Sequence, residues 1–377
     1  MTVERPILLA AGGTGGHLFP AEALAVELAR RGVAVELITD ERALAYAGHF
    51  PARAVHAAPA DTLRGGGLKA YAKLAATLAR GVVGSLRVLR RVNPAAVVGF
   101  GGYPTFPPLV AAWILRIPVV LHEQNAVMGR ANRMLAKLAS AIGAGFPSVA
   151  HLPKGAPATH VGNPVRPQVL SASGVPYHAP TAGQAVRLLV FGGSQGARIM
   201  SEVVPAAVAL LPRELRERLH VTQQARPEDI EEVRRAYDEA GVEAELSSFF
   251  GDMPMRMALA HFVIARAGAS TVAELAVIGR PSILVPLPHA LDNDQLANAN
   301  ALALAGGAVV TAQDRFTPQA LADDLNARLA DPQALEAAAE AAKRVGAPDA
   351  ASRLADVVLA AAKGRASART PVSTPVF

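Results

Sequence analysis

Apolar positions along the chain gather into short unbroken runs separated by stretches of helical spacing, and the alternation recurs. Ile7 to Ala11 is apolar and leads into a glycine-rich turn; helical spacing follows from Pro20 to Arg31, Gly32 stops it, and Val33 to Thr39 forms another short run. This order predicts a strand, a helix and a second strand. Ala96 to Gly99, the helix-like Pro107 to Leu115 and Pro118 to Leu121 repeat it. Strands lacking polar alternation are covered on both faces, so the prediction is an α/β fold of parallel strands joined by crossover helices.

The second half begins the same way. Val186 to Phe191 runs into GGSQGAR and a helical stretch ending at Leu211; Phe262 to Ala265, Thr271 to Ile278 and Ser282 to Val285 form a further unit. The glycine turns at Gly12 and Gly192 stand at equivalent places, which predicts two similar halves, each with its own open sheet. A chain of 377 residues also exceeds the roughly 100–200 residues of an ordinary domain. Between the halves, Gly162 to Ala185 is rich in Pro, Gly, Ser and Ala without period and marks a linker. The predicted domains are 1–165 and 166–362, with 363–377 as a tail.

Charge adds a surface to this picture. Residues 1–165 carry 17 Lys and Arg against 8 Asp and Glu, and no acid falls between Asp61 and Glu123 while Arg64, Lys69, Lys73, Arg80, Arg87, Arg90, Arg91 and Arg116 do. A stretch of one sign attracts an anionic surface. Within it, Leu74, Leu78, Val82 and Leu86 recur at near-helical spacing, as an ordinary buried face would. Aromatic residues make up only 5%, leaving few platforms on which bases could stack, so nucleic acid is not an expected partner. The absence of cysteine excludes disulfides, thiolate metal sites and a cysteine nucleophile. The N-terminus reads as a first strand rather than a leader, and no apolar run approaches the ~20 residues of a spanning helix.

Candidate chemistry sits at the turns. A glycine turn between strand and helix brings backbone amides to a ligand, and the helix start adds roughly half a positive charge, so phosphate binding is the natural use. Neither GGTGGH nor GGSQGA matches the dinucleotide pattern GxGxxG, which disfavours a dehydrogenase. Taken singly, either could be a tight turn without a ligand. His17, closing the first turn, is either a helix-start residue bonded to backbone or a general base. In RAGASTVAEL, Thr271 and Glu274 have capping-box spacing; alternatively Glu274 accepts from adjacent sugar hydroxyls while the amides of Ala269 to Thr271 meet a diphosphate. Asp292-Asn293-Asp294 is a weak match to a metal-holding acidic pair. Arg166 and helix amides suffice to neutralise a leaving diphosphate, so no metal and no cofactor are expected.

Seven segments, in order, resemble the MurG family: GGTGGH (Gly12 to His17), GFGGYPTFP (Gly99 to Pro107), HEQNAVMGRAN (His122 to Asn132), GNPVR (Gly162 to Arg166), GGSQGAR (Gly192 to Arg198), RAGASTVAEL (Arg266 to Leu275) and HALDNDQLANA (His289 to Ala299). The resemblance implies a GT-B architecture: two Rossmann-like, doubly wound parallel-sheet domains facing a cleft, the last helix crossing back to the first domain. It further implies inverting transfer of N-acetylglucosamine from UDP-N-acetylglucosamine to lipid I, giving lipid II for peptidoglycan, at the cytoplasmic face of the cell membrane. Carried over by position, Arg166, Ser194, Phe250, Ala269, Ser270, Thr271, Val272, Ala273, Glu274 and Gln295 are donor contacts. Thr14, Gly15, Gly16 and Asn125 approach the donor from the other domain. His17 is the leading base and Glu123 its rival, with Tyr103 near the acceptor. The stretch Leu68 to Val92 resembles the family's membrane-contact region. HEQNA argues against a diacylglycerol glycosyltransferase or a UDP-N-acetylglucosamine epimerase.

Overall fold

A computed structural model describes residues 4–12, 15–40, 50–57, 68–193, 196–288 and 290–364, with the side chains of 68–75 and 291 left outside the description. The chain forms two compact units, Met1–Arg166 together with Pro348–Phe377, and Pro167–Ala347. Each is built on one parallel sheet.

In the first unit the strands are β1 (Ile7–Ala10), β2 (Val35–Thr39), β3 (Val55–Ala57), β4 (Ala96–Gly99), β5 (Val119–Glu123), β6 (Ala141–Ala144) and β7 (Ala158–His160), in the order β3-β2-β1-β4-β5-β6-β7. The second unit has β8 (Val186–Phe191), β9 (Leu219–Gln224), β10 (Glu243–Ser247), β11 (Phe262–Ala265), β12 (Ser282–Leu284) and β13 (Ala308–Val310), in the order β10-β9-β8-β11-β12-β13. Both sheets therefore reverse direction beside their first strand, between β1 and β4 and between β8 and β11. At such a point the flanking crossovers diverge and leave a crevice outside the carboxyl ends of the strands. β1, β2, β4 and β5 are buried along their whole length, as helices on both faces require, whereas the edge strands β3 and β10 show exposed positions.

The first unit's core is completed from far along the chain. The helix Ala350–Ala362 packs against the helix Gly15–Arg30 and against β6, and Leu354, Ala355, Val357 and Val358 join Leu24, Leu28 and Val120 in one buried cluster. Gly143 makes room for it, since a methyl there would lie 2.7 Å from Leu354 Cδ1. Arg31 pins the outer side by donating to Asp356 and to Ser352.

Four local expectations change. The first helix starts at Gly15 rather than Pro20, so Pro20 lies inside it and withholds one amide from the ladder. The helix after β11 starts at Ala269 with Gly268 as its cap; Thr271 is thus its third residue and cannot form a capping box with Glu274. The segment predicted as a linker docks on the second unit: Pro167–Ala172 is helical, Tyr177 donates to the His261 carbonyl at 2.9 Å, and Arg280 donates to that of Val175 at 3.2 Å. Finally, the helix Leu68–Val92 buries Gly81, Ser85 and Leu89, while Leu78, Val82 and Leu86 are half-buried. Small residues at the first two positions suit close approach to the helix Phe106–Ile114, along which it lies. Arg64 and the side chains of Lys69, Lys73 and Leu74 fall outside the described residues.

Candidate active site

The glycine turns open at the two switch points. In the first unit Ala10 and Gly99 are register partners, so the turns leaving β1 and β4 emerge side by side. Gly12 is held close, because a methyl there would lie 2.9 Å from Asp40 Oδ1 and 3.1 Å from Pro104 Cβ. His17 falls near the start of the helix, with its ring against the β4 turn. A methyl on Gly101 would lie 3.5 Å from His17 Cε1, and one on Gly102 3.4 Å from its Nε2. Both glycines have positive φ, 84° and 76°, which side-chain residues rarely adopt. Their lack of a side chain therefore serves the turn and leaves space for the imidazole. His17 Nδ1 is enclosed. Burial pushes the His17 pKa below its ordinary value, opposed in part by the backbone of Phe100, so the ring is neutral at pH 7, the form a base needs. Tyr103 follows, part-exposed, at the start of the short helical turn Tyr103–Thr105.

The exit of β5 carries HEQN, in which Glu123, the rival base, is bonded into the loop that follows. Glu123 is buried at 1% exposure. One carboxylate oxygen accepts from the Asn125 amide at 2.9 Å, and the other from the Gly129 amide at 3.0 Å and Asn132 Nδ2 at 2.8 Å. Both oxygens are thus occupied in shaping the loop from 125 to 132. Asn125 is held at the near end of that loop. Burial raises the Glu123 pKa, with these donors opposing. Gln124 Nε2 donates to the Phe100 carbonyl at 2.8 Å, and Asn163 Nδ2 to the Gln124 carbonyl at 2.8 Å. His122 Nε2 meets the Gly162 carbonyl at 3.2 Å, and burial lowers its pKa to about 4. HEQN thereby braces the turns leaving β4, β5 and β7 against one another. Three residues beyond Asn163, the Arg166 guanidinium stacks 3.8 Å above the Phe19 ring.

In the second unit Phe191 and Ala265 are register partners, so the turns leaving β8 and β11 also emerge together. Gly192 packs directly against the backbone of Ala197, while Gly193 and Gly196 have φ of 85° and 67°; this tight turn leads into the helix Arg198–Ala209. After β11, Gly268 caps the helix Ala269–Ile278 without a side-chain acceptor. First-turn amides of a helix have no partner within it, so those of Ala269, Ser270 and Thr271 form a donor cluster at the positive end of the dipole. Ala269 and Val272 turn their side chains inward. Glu274 is buried on the next turn, and Ala273 is half-buried. Asn298 Nδ2 holds the Ala267 carbonyl at 3.3 Å, and Arg266 donates to the carbonyls of Val285 and Pro286 and to Gln313. Gln295 Oε1 accepts from the Leu287 amide at 3.0 Å, bringing the helix Asp294–Leu304 to the exit of β12. Phe250 is covered, with the Arg256 guanidinium 4.3 Å above its ring; it is the neighbouring Phe249 whose side chain is 74% exposed. Asp292 and Asn293 adopt left-handed backbone, φ 60° and 54°, as the lead-in to that helix. Among the described residues no group of three or more His, Cys, Asp or Glu is placed to hold a metal ion.

Thr14, Ser194 and His289 lie outside the described residues. The remaining predicted residues gather at the carboxyl edges of their two sheets: Gly15, Gly16, His17, Tyr103, Glu123, Asn125 and Arg166 in the first unit, and Phe250, Ala269 to Glu274 and Gln295 in the second. Sequence reasoning did not assign Phe19, Gln124, Asn132, Asn163 and Asn298. The available signal was polar side chains at the end of an apolar strand, since buried polar groups require partners.

Comparison with known proteins defines the class. The glycosyltransferase family 28 N-terminal domain matches residues 7–144, and the family 28 C-terminal domain matches residues 187–354. The chain belongs to this glycosyltransferase family. Within it, the chain is 57% identical over 363 residues to the UDP-N-acetylglucosamine–N-acetylmuramyl-(pentapeptide) pyrophosphoryl-undecaprenol N-acetylglucosamine transferase of Methylobacterium sp. (strain 4-46), covering 95% of this chain and 98% of the relative. The solved structure of Acinetobacter baumannii MurG superposes with a TM-score of 0.74 at 30% identity, covering 94% and 99% of the two chains. The chain is thus a member of the MurG family. A UDP-N-acetylglucosamine 2-epimerase from Neisseria meningitidis, at 13% identity and TM-score 0.66, shares the fold.

Proposed function

We propose that the protein transfers N-acetylglucosamine from UDP-N-acetylglucosamine to the lipid-linked N-acetylmuramyl-pentapeptide diphosphate, lipid I, with inversion, to give lipid II for peptidoglycan. The second unit holds the donor. The amides of Ala269, Ser270 and Thr271, with Ser194 and the adjoining backbone of Val272 and Ala273, receive the diphosphate. Glu274 and Gln295 take the sugar hydroxyls, and the segment at Phe250 takes the uracil. Arg166, Thr14, Gly15, Gly16 and Asn125 are further donor contacts in this reading, as the family resemblance implies. His17 accepts the proton of the attacking acceptor hydroxyl, with Tyr103 beside the acceptor. As the hydroxyl attacks the anomeric carbon, UDP departs from the opposite face and its growing charge is met by fixed amides and Arg166.

The observation that carries this reading is the start of the helix Ala269–Ile278 at a switch point, capped by a glycine without a side-chain acceptor, in a family whose named relatives are UDP-N-acetylglucosamine transferases. Its test is the rate of UDP release with lipid I present. His17→Ala should lower kcat by roughly two to four powers of ten, the span of general base contributions, and Glu274→Ala should mainly raise the KM for the donor. Near-normal constants in both variants would remove the assigned roles.

The protein works peripherally on the cytoplasmic face of the membrane. Trp113 and Ile114 are exposed on the helix Phe106–Ile114 and Met134 on the helix Arg130–Leu135, while Arg87, Arg90 and Arg91 are exposed on the helix Leu68–Val92 and Arg116 just after Ile114. Apolar side chains rimmed by cations suit an anionic lipid surface. Among the described residues no helix is long and apolar enough to cross a membrane. Vesicles containing anionic lipid should bind the protein in a salt-sensitive manner, neutral vesicles and duplex DNA should not, and Trp113→Ser should weaken the association.

A further inference from the structure

We propose that Gln124 is a positioning residue for His17, acting through the backbone carbonyl of Phe100 and the diglycine turn that follows it. This inference rests on His17 being the base.

The relay is visible step by step. Gln124 is buried at 3% exposure and lies just beyond β5. Its Nε2 donates to the Phe100 carbonyl at 2.8 Å, and that carbonyl belongs to the residue immediately before Gly101 and Gly102. These two glycines form the wall against the His17 ring, at 3.4 to 3.6 Å from where their side chains would begin. Their positive φ makes this turn conformationally permissive, so something outside it must hold its shape. Gln124 does so from one side. Asn132, whose Nδ2 lies 3.4 Å from the methyl position of Gly101, packs against it from another and donates to Glu123 and to the His122 carbonyl. Gln124 is itself fixed, because its own carbonyl accepts from Asn163 at 2.8 Å.

The chemical consequence concerns the placement of the imidazole. His17 Nδ1 is buried without a hydrogen-bond partner among the described residues, so the ring is held by packing against the diglycine wall rather than by a bond of its own. With the Phe100 carbonyl fixed, Gly101 and Gly102 keep the ring in place, which holds Nε2 where the acceptor's proton must arrive. Catalytic imidazoles are commonly set by a third group in this way. Here that group is a glycine turn steadied by an amide side chain.

A double-mutant cycle tests the assignment. Gln124→Met, which keeps the length and removes the donor, is expected to lower kcat about 10- to 100-fold while the KM for UDP-N-acetylglucosamine stays within about twofold, on the scale of a misoriented general base. Gln124→Glu gives a second variant of equal volume in case the first folds poorly, and calorimetric binding of UDP reports an intact donor site in either. In a His17→Ala background, already slow, neither substitution should lower kcat further, because the relay has nothing left to orient. An equal fold-loss in both backgrounds would show a general structural effect and overturn the proposal while leaving His17 as the base. A wild-type rate in His17→Ala alone would overturn both.

Discussion

At the scale of single residues, the site separates groups that react from groups that hold. In the sequence His17 leads as the base and Glu123 is its rival, both titratable and both in family motifs. Burial distinguishes them: the imidazole is driven toward its neutral, basic form, whereas each Glu123 oxygen is taken up by the loop it organises. Glu123→Gln should therefore retain much more activity than Glu123→Ala, because the amide still offers one acceptor; equal, near-total losses would restore Glu123 as a base. Because the His17 pKa lies below the ordinary 6.5, kcat/KM should hold steady through neutrality and fall on the acid side only below about pH 6.5. An acid limb centred above pH 7 would contradict the assignment. The motifs made most of these residues legible. Gln124 and Asn163 were not, because their significance lies in which carbonyl each reaches, and a linear pattern does not carry that.

At the scale of elements, the central strands were plain from their unbroken apolar runs, and helix beginnings were the weaker part. Thr271 and Glu274 have a capping spacing, yet the helix starts two residues earlier after a glycine cap that offers its first amides no side-chain acceptor. The buried face of the helix Leu68–Val92 was also misplaced, since Gly81 and Ser85 contribute little hydrophobicity and were passed over in favour of larger residues. No local periodicity could reveal that the helix Ala350–Ala362 closes the core of the first unit, more than 180 residues earlier in the chain. Leu354 is fully buried there, so Leu354→Ala should cost about 2–5 kcal/mol, seen as a lower midpoint in urea denaturation. A change below about 0.5 kcal/mol would show that the helix is peripheral to the fold.

At the scale of the whole molecule, the same strand order appears twice, and each copy places its glycine turn and its second loop at the reversal point. The sequence showed that repetition through two glycine motifs about 180 residues apart, although neither alone was diagnostic. Global stability should also carry the mark of the bracing network. His122 is fully buried with its pKa lowered to about 4, so as the pH falls from about 6.5 to about 4 the unfolded chain takes up the proton first and stability is lost. The term is complete above pH 6.5 and on the order of 3 kcal/mol at most. His122→Asn should flatten the decline in Tm between pH 6.5 and 5 relative to the wild type; parallel declines would contradict the buried, neutral imidazole.

The most direct measurement supplies UDP-N-acetylglucosamine labelled in the sugar together with lipid I, and follows both the label and the configuration of the new linkage. Label entering the lipid fraction only when lipid I is present, joined with inversion at the anomeric carbon, is the predicted result. Label that stays with the nucleotide, or a product of retained configuration, would contradict it.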